Sequence, residues 1–209
     1  MTLILVMQNQ LKNLILNEQK PSDIYSAAAS AVSSSVSTNK RKDFTLDGNV
    51  ASQKLWDHIR KYESLRTFTY DDAVYPSVEY KGSKSDSVGT LTIGYGHTGD
   101  DVYPGQKITE KEANEFLKKD VNNAADCVKR WIKRQKVRDN KNNTKYHLLT
   151  QGMYDAMIDV VYNRGCGRFI NSKILSNIEN GSYDSAKQMI KNLSGDKKRW
   201  NETSELFTY

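Results

Sequence analysis

Two carboxyl side chains, Glu63 and Asp72, stand nine positions apart, each where acid–base chemistry has a use for it. Glu63 closes a segment in which Leu55, Trp56, Ile59 and Tyr62 recur at steps of three and four, so a helix starting at Ser52 places Glu63 on the apolar face. A carboxyl there loses hydration, which favours its protonated form and suits it to give a proton away. Asp72 follows a strand-like run beside a polar loop, where it is expected to stay ionised. One carboxyl that protonates a leaving oxygen, facing another that activates water or stabilises an oxocarbenium ion, is what hydrolysis of a glycosidic bond requires. Spacing alone does not carry that reading: Glu and Asp nine apart occur by chance in nearly any chain, and a surface Glu with a turn Asp is the plainer alternative.

The elements that must hold these groups are visible in the flanking sequence. "TFTYDD", Thr67 to Asp72, alternates as a strand with Phe68, Tyr70 and Asp72 on one side. "AVYPSVEYKGSKSDSV" follows as a long polar loop. "GTLTIGYGHT" then packs three glycines, a tyrosine and one of the chain's three histidines into ten residues. Its first half is a second strand, so the pair predicts a β-hairpin with an enlarged tip. Its glycines either follow a bend closed to other residues or bring backbone close to a ligand. Thr109 and Glu112 have the spacing of a capping box, and the apolar stripe after them, Ala113 through Val121 and Val128 to Trp131, ends near Ile132. Lys133 to Lys145 reads as a basic connection. Thr150 caps "QGMYDAMIDVVYNRG", whose nearly all-round apolar surface predicts the buried central helix of a helical lobe, stopped by Gly165. Shorter helices over 172–180 and 184–193 precede the tail "RWNETSELFTY".

A chain of 209 residues with 37% hydrophobic content has room for one core and an appendage. Residues 1–46 combine an apolar start with the Ala/Ser tract "SAAASAVSSSVSTNKRK", the composition of a flexible linker, and residues 47–209 form the single domain. A weakly apolar membrane anchor is the alternative for the tail. Its longest strong apolar run, "LILVM", is far short of the ~20 residues that span a bilayer, so no stable membrane insertion is expected. A net charge of +6 suits an anionic partner, whether nucleic acid, anionic lipid or cell wall polymer, and equally suits a solvated basic surface. Cys127 and Cys166 fit no metal spacing and read as small core residues, with a disulfide between them as the alternative.

In chain order, "YESLRTFTYDD", "GTLTIGYGHTGDDVYPGQKITEKEANEFLKKDV", "LLTQGMYDAMIDVVYNRGCGRF" and "SKILSNIENGSYDSAKQMI" resemble the phage-type lysozymes, the T4 lysozyme-like glycoside hydrolase family, from about Leu55 to Leu206. The motif that carries the resemblance is Glu, then YxD, then TIGYGHT. It implies an α+β lysozyme-like fold, with a small β-hairpin lobe and a larger, mostly helical lobe joined by a long helix. It also implies cleavage, with inversion, of the β-1,4 bond between N-acetylmuramic acid and N-acetylglucosamine in bacterial peptidoglycan. Carried over by position, Glu63 is the general acid, the Asp of "YDD" the second carboxylate, and Thr92 the residue that helps hold the attacking water. Asn163, after Tyr162, becomes a sugar-binding amide at the cleft, while His97 and Thr98 complete the motif by hydrogen bonding inside the small lobe. No metal and no cofactor are implied. The expected partner is peptidoglycan, met by a monomer made in the bacterial cytoplasm and acting on the wall in the periplasm, after holin-dependent release or carriage on a phage particle.

Two positions depart from the family pattern. Ser64 stands where the family has Gly. The family's Asp and Thr lie six apart, whereas Asp72 and Thr92 are twenty apart, and it is Asp86 that has the six-residue spacing. An insertion of fourteen residues reconciles the two halves. Asp72 is preferred for the YxD pattern and its strand from Glu63, with Asp86 as the alternative. The inserted loop, with Tyr75, Tyr80, Lys81 and Lys84, reads as a solvated tip or as a grip on the glycan or peptide stem. Near the end, Arg199 and Glu202 approximate a closing Arg and Glu of the family, a structural ion pair at most. The rival readings are an inactive wall-binding or virion structural protein of the same fold, against which Glu63 and Thr92 speak, and a nucleic-acid binder, which rests on charge without a binding motif. A lytic transglycosylase needs no water-activating carboxylate, so the aspartates favour hydrolysis.

Overall fold

The computed structural model describes residues 50–142 and 149–209, over 136–142 the backbone alone. These residues belong to a unit running from Asp43 to Tyr209. The tail and linker of residues 1–46 lie outside the described residues.

Helix α1 (Gln53–Tyr62) starts where Ser52 accepts the Leu55 N–H. That cap is itself fixed from the central helix: Asp155 accepts the Ser52 N–H at 3.1 Å and its hydroxyl at 2.5 Å. Leu55 and Ile59 are fully buried beneath α1, each contributing about 1.5–3 kcal/mol. Strands β1 (Arg66–Asp71), β2 (Leu91–Gly94) and β3 (His97–Thr98) form an antiparallel sheet in that order. Tyr70 lies opposite Thr92, and Thr92 opposite Thr98. Gly94 and Gly96 both take positive φ, +67° and +92°, and turn the chain from β2 into β3 as the glycine spacing predicts. In β1 the buried face is the polar one, Thr69 and Asp71, because loop backbone satisfies it. The Thr69 N–H donates to Gln106 O and its hydroxyl to Tyr103 O.

Helix α2 (Glu110–Asn142) opens with the predicted capping box. The Thr109 N–H donates to Glu112 Oε2 at 2.7 Å and the Glu112 N–H to Thr109 Oγ1 at 3.2 Å. It runs ten residues past Ile132, where the sequence reading ended it. "KRQKVRDNKN" holds neither glycine nor proline, and its lysines, arginines and glutamine are good helix formers. Helix α3 (Gln151–Arg164) is buried from Met153 to Val161, as expected of a central helix. Helices α4 (Cys166–Ile170), α5 (Lys173–Glu179), α6 (Tyr183–Lys191) and α7 (Lys197–Leu206) complete the large lobe. The segment read as a tail is therefore mostly α7. Asp196 caps it by accepting from the Lys198 and Arg199 N–H groups, and Trp200, Leu206 and Phe207 are buried by it.

Two cores result. A small one gathers Leu91, Ile93 and Val102 under Tyr80, Ile108 and Phe116, and the main one fills the helical lobe. Helix α2 serves both, with Phe116 on the small core and Leu117 and Val121 in the large one. Cys127 and Cys166 are not separate core thiols but a disulfide, which ties α2 to the start of α4. Their separation of 39 residues hid the pairing, since no local spacing announces it. Among the described residues no helix is long and apolar enough to cross a membrane.

Candidate active site

Glu63 is the C-cap of α1, its backbone extended and its N–H still donating to Ile59 O at 2.9 Å. The apolar face expected around its carboxyl is broken by Arg199 of α7, whose Nη1 donates to Glu63 Oε1. The same guanidinium donates through Nη2 to Asp159 Oδ1 at 2.7 Å and lies with Nε 3.5 Å from Asp159 Oδ2. Asp159, on α3, also accepts the Thr203 hydroxyl at 2.7 Å, with His58 Nε2 3.3 Å away. Glu63, Arg199, Asp159, Thr203 and His58 thus form one hydrogen-bonded chain from the cleft into the core. Burial opposes the charge of Asp159, yet His58 and Arg199 outweigh it and hold the carboxyl at about 2. Arg199 is likewise held more firmly charged despite burial, first by Asp159 and then by Glu63. Removing one partner of so buried a pair leaves an uncompensated charge, a loss of about 3–5 kcal/mol.

The hairpin brings the other predicted residues to this point. Burial of the Tyr70 phenol, then the charge of Glu63, and further on that of Asp72, push it up. Asp72 is exposed; its Oδ1 accepts the Thr90 N–H at 2.6 Å. Thr92, nearly buried, donates its hydroxyl to Thr90 O at 3.0 Å, so its oxygen can still accept. Gly96 backs onto Glu63: a Cβ there would lie 3.5 Å from Oε2. Asp86 stands on the short 3-10 turn Lys84–Asp86 of the inserted loop, accepting from the Ser85 hydroxyl at 3.2 Å, and its charge bears on Tyr80. The foot of that loop is closed by Asp71, which accepts from the N–H groups of Ala73, Val88 and Gly89 at 2.8–3.0 Å. No side chain fits at Gly89, where a Cβ would collide with Asp72 Oδ1 and come within 2.6 Å of Asp71 Oδ1.

The two neighbours of Glu63, Gly96 and Arg199, each line a hollow. One of about 260 Å³ is lined by Gly96, Thr98, Asp120, Asn123 and Tyr162 among others, and one of about 200 Å³ by Tyr62, Asn163, Arg164, Arg199 and Trp200. Tyr162, on the first of them, donates to Tyr95 O at 2.7 Å, joining the lobes. His97 fastens the small lobe to α2. Its ring stacks on Phe116 with centroids 4.2 Å apart and meets Asp120 at 2.8 Å and Asp101 at 3.1 Å. Among the described residues no cluster of three or more His, Cys, Asp or Glu side chains is disposed to hold a metal ion.

A family model described as Phage lysozyme matches residues 60–204, well over half of the chain and all of this site but His58. The chain belongs to the phage lysozyme family. The endolysin of Bacillus phage B103 is 32% identical over 141 residues, which cover 66% of this chain and 44% of that protein. The SAR-endolysin of Bacteriophage PS119 is 37% identical over 109 residues, 52% of this chain and 57% of that protein. The chain spans about half the length of these curated relatives. Among solved structures, the muramidase domain of SpmX from Asticaccaulis excentricus matches with a TM-score of 0.55 at 22% identity, covering 77% of this chain and 99% of that one. The endolysin from Escherichia coli O157:H7 phage FAHEc1 gives 0.53 at 22%, covering 77% and 94%. These neighbours share the fold, the α+β lysozyme-like architecture expected from the sequence.

Within this phage lysozyme site, sequence reasoning missed Asp159 and His58. The signal was present in "MYDAMIDVVY", where Asp155 and Asp159 interrupt an otherwise apolar helix as Glu63 interrupts the face of α1. Arg199, expected in a structural ion pair, has two carboxylate partners, one of them Glu63. Glu202 is not its partner: it pairs with Lys61 at 2.6 Å.

Proposed function

We propose that this chain is a peptidoglycan hydrolase that cleaves the β-1,4 bond between N-acetylmuramic acid and N-acetylglucosamine, with Glu63 as general acid and Asp72 as the base that activates water. The observation that carries it is the Glu63 carboxyl, whose Oε1 is held by Arg199 while Oε2 faces Gly96 of the hairpin that sets Tyr70 opposite Thr92 and leaves Asp72 exposed. Arg199 occupies Glu63 Oε1, which leaves the transferable proton to Oε2, on the side of Gly96. Thr92 donates to Thr90 O and therefore serves the water as an acceptor. The water then directs one hydrogen at Thr92 and the other at Asp72, with its lone pair toward the anomeric carbon. The new C–O bond forms as the glycosidic C–O bond breaks; Glu63 gives its proton to the leaving oxygen and Asp72 takes one from the water. Attack from the far face yields the α-anomer first. Asn163, which lines the same hollow as Arg199, hydrogen-bonds sugar in this reading.

The remaining expectations stand as part of this reading. Residues 47–209 are the catalytic domain; the protein acts as a monomer, is made in the host cytoplasm, and reaches the wall through a holin-type pore or on a phage particle. The deciding experiment is a cell wall zymogram of the protein beside Glu63→Gln. The amide keeps the shape and cannot donate the proton, so clearing is expected from the parent and at least 100-fold less from the variant. Comparable clearing by a folded Glu63→Gln rejects the acid, and a first product of β or anhydro form rejects the inverting route.

A further inference from the structure

Arg199 poses a problem for the acid it touches. A guanidinium beside a carboxyl favours the ionised form, and an ionised Glu63 has no proton to give. The structure holds a second carboxylate on the same cation. We infer that Asp159 is a positioning residue for the acid: it grips the far side of Arg199 and balances its charge, so that Arg199 orients Glu63 without fixing it as a carboxylate. This rests on the reading of Glu63 as general acid.

Asp159 is wholly buried and cannot reach a glycan, so whatever it does for the reaction passes through Arg199. Its grip spans both Nη2 and Nε of the guanidinium, which leaves Nη1 for Glu63. Arg199 is itself only 4% exposed, so water does little to screen the two charges from each other. Asp159 is in turn held by groups on two other elements, His58 on α1 and Thr203 on α7. The charged and titratable groups facing Glu63 are Arg199 from α7, Tyr70 from β1 and Tyr162 from α3. Those facing Asp159 are His58, Arg199 and, more weakly, Tyr162. Burial, and then the nearby carboxylates, push both phenols up, so they stay neutral at neutral pH. Asp159 is thus the carboxylate bound directly to the cation that Glu63 meets.

The test follows the rate of lysis of purified cell walls against pH for the parent, Asp159→Asn and the double variant Asp159→Asn/Arg199→Gln, with near-UV circular dichroism reporting the fold. In Asp159→Asn the cation is unbalanced, and the alkaline limb should move down by about 1 pH unit while the rate on the acid side stays within about tenfold. In the double variant both charges leave together, and the limb should return to the parental position whatever the maximal rate. A limb that is unmoved or raised in Asp159→Asn overturns the inference. So does a raised limb in the double variant, which would mean that Arg199 acted on Glu63 unopposed. If Asp159→Asn fails to fold, the double variant decides alone, since it leaves no buried charge unpaired. Lysis by Glu63→Gln would reject the acid itself, a failure distinct from either limb result.

Discussion

Asp71, Asp72 and Asp86 are three carboxylates within one hairpin, and their partners give them different tasks. Asp71 is enclosed by three backbone N–H donors, which outweigh its burial and hold it below the usual carboxylate range. Asp72 accepts one N–H from Thr90 and stays open to solvent, while Asp86 is turned toward Ser85 and Tyr80. We therefore expect Asp72→Asn to lose at least 100-fold in wall turbidity clearance and Asp86→Asn to stay within about twofold; the reverse ranking would make Asp86 the base. Asp159 yields a stability prediction. Its carboxyl sits at about 2 against an ordinary 3.8, so its contribution is complete above the ordinary value and is lost as pH falls through about 2. Thermal unfolding followed from pH 5 downward should show its steepest drop in Tm between about 4 and 2, and a flat profile there would contradict the buried pair. Glu63, Asp72 and Thr92 stand out as candidates in the sequence because they belong to one ordered local motif. Arg199 reaches Glu63 across 136 residues, and only the packing of α7 against α1 and α3 reveals the contact.

At the scale of elements, legibility followed the strength of local signals. The caps at Ser52, Thr109 and Thr150 are each in place, since a side chain that closes its own helix needs no distant partner. The two-residue β3 and five-residue α4 are too short to show a period, and the polar run "KKRWNETSEL" masks α7. The end of α2 was misplaced because its apolar stripe stops where the helix leaves the core, not where the helix stops. The disulfide between α2 and α4 closes a loop of 39 residues, which in the chain-entropy model stabilises the fold by about 4 kcal/mol. Urea unfolding with and without reductant should differ by about that amount, and a Cys127→Ser/Cys166→Ser variant should match the reduced protein. Equal midpoints would mean that the bond constrains nothing.

For the molecule as a whole, the family model begins at residue 60 and the cleft, both cores and the ion-pair chain all lie beyond residue 50. Removal of residues 1–46 is therefore expected to leave a folded protein with wall-clearing activity within about twofold of the full chain. Loss of solubility or of the circular dichroism spectrum would place part of the tail inside the domain. The inserted loop is joined to the small lobe at several places: Asp71 clasps its return at Val88 and Gly89, Tyr80 bonds to Thr69 and Gly105, Glu79 pairs with Lys107 at 3.4 Å and Lys84 lies 4.0 Å from Asp100. Residues 81–87 thus hang from fixed anchors. Such a tip can lengthen, shrink or change its sequence across lineages while the rest of the hairpin keeps its shape, and a foreign peptide spliced there would ride on the domain without disturbing it.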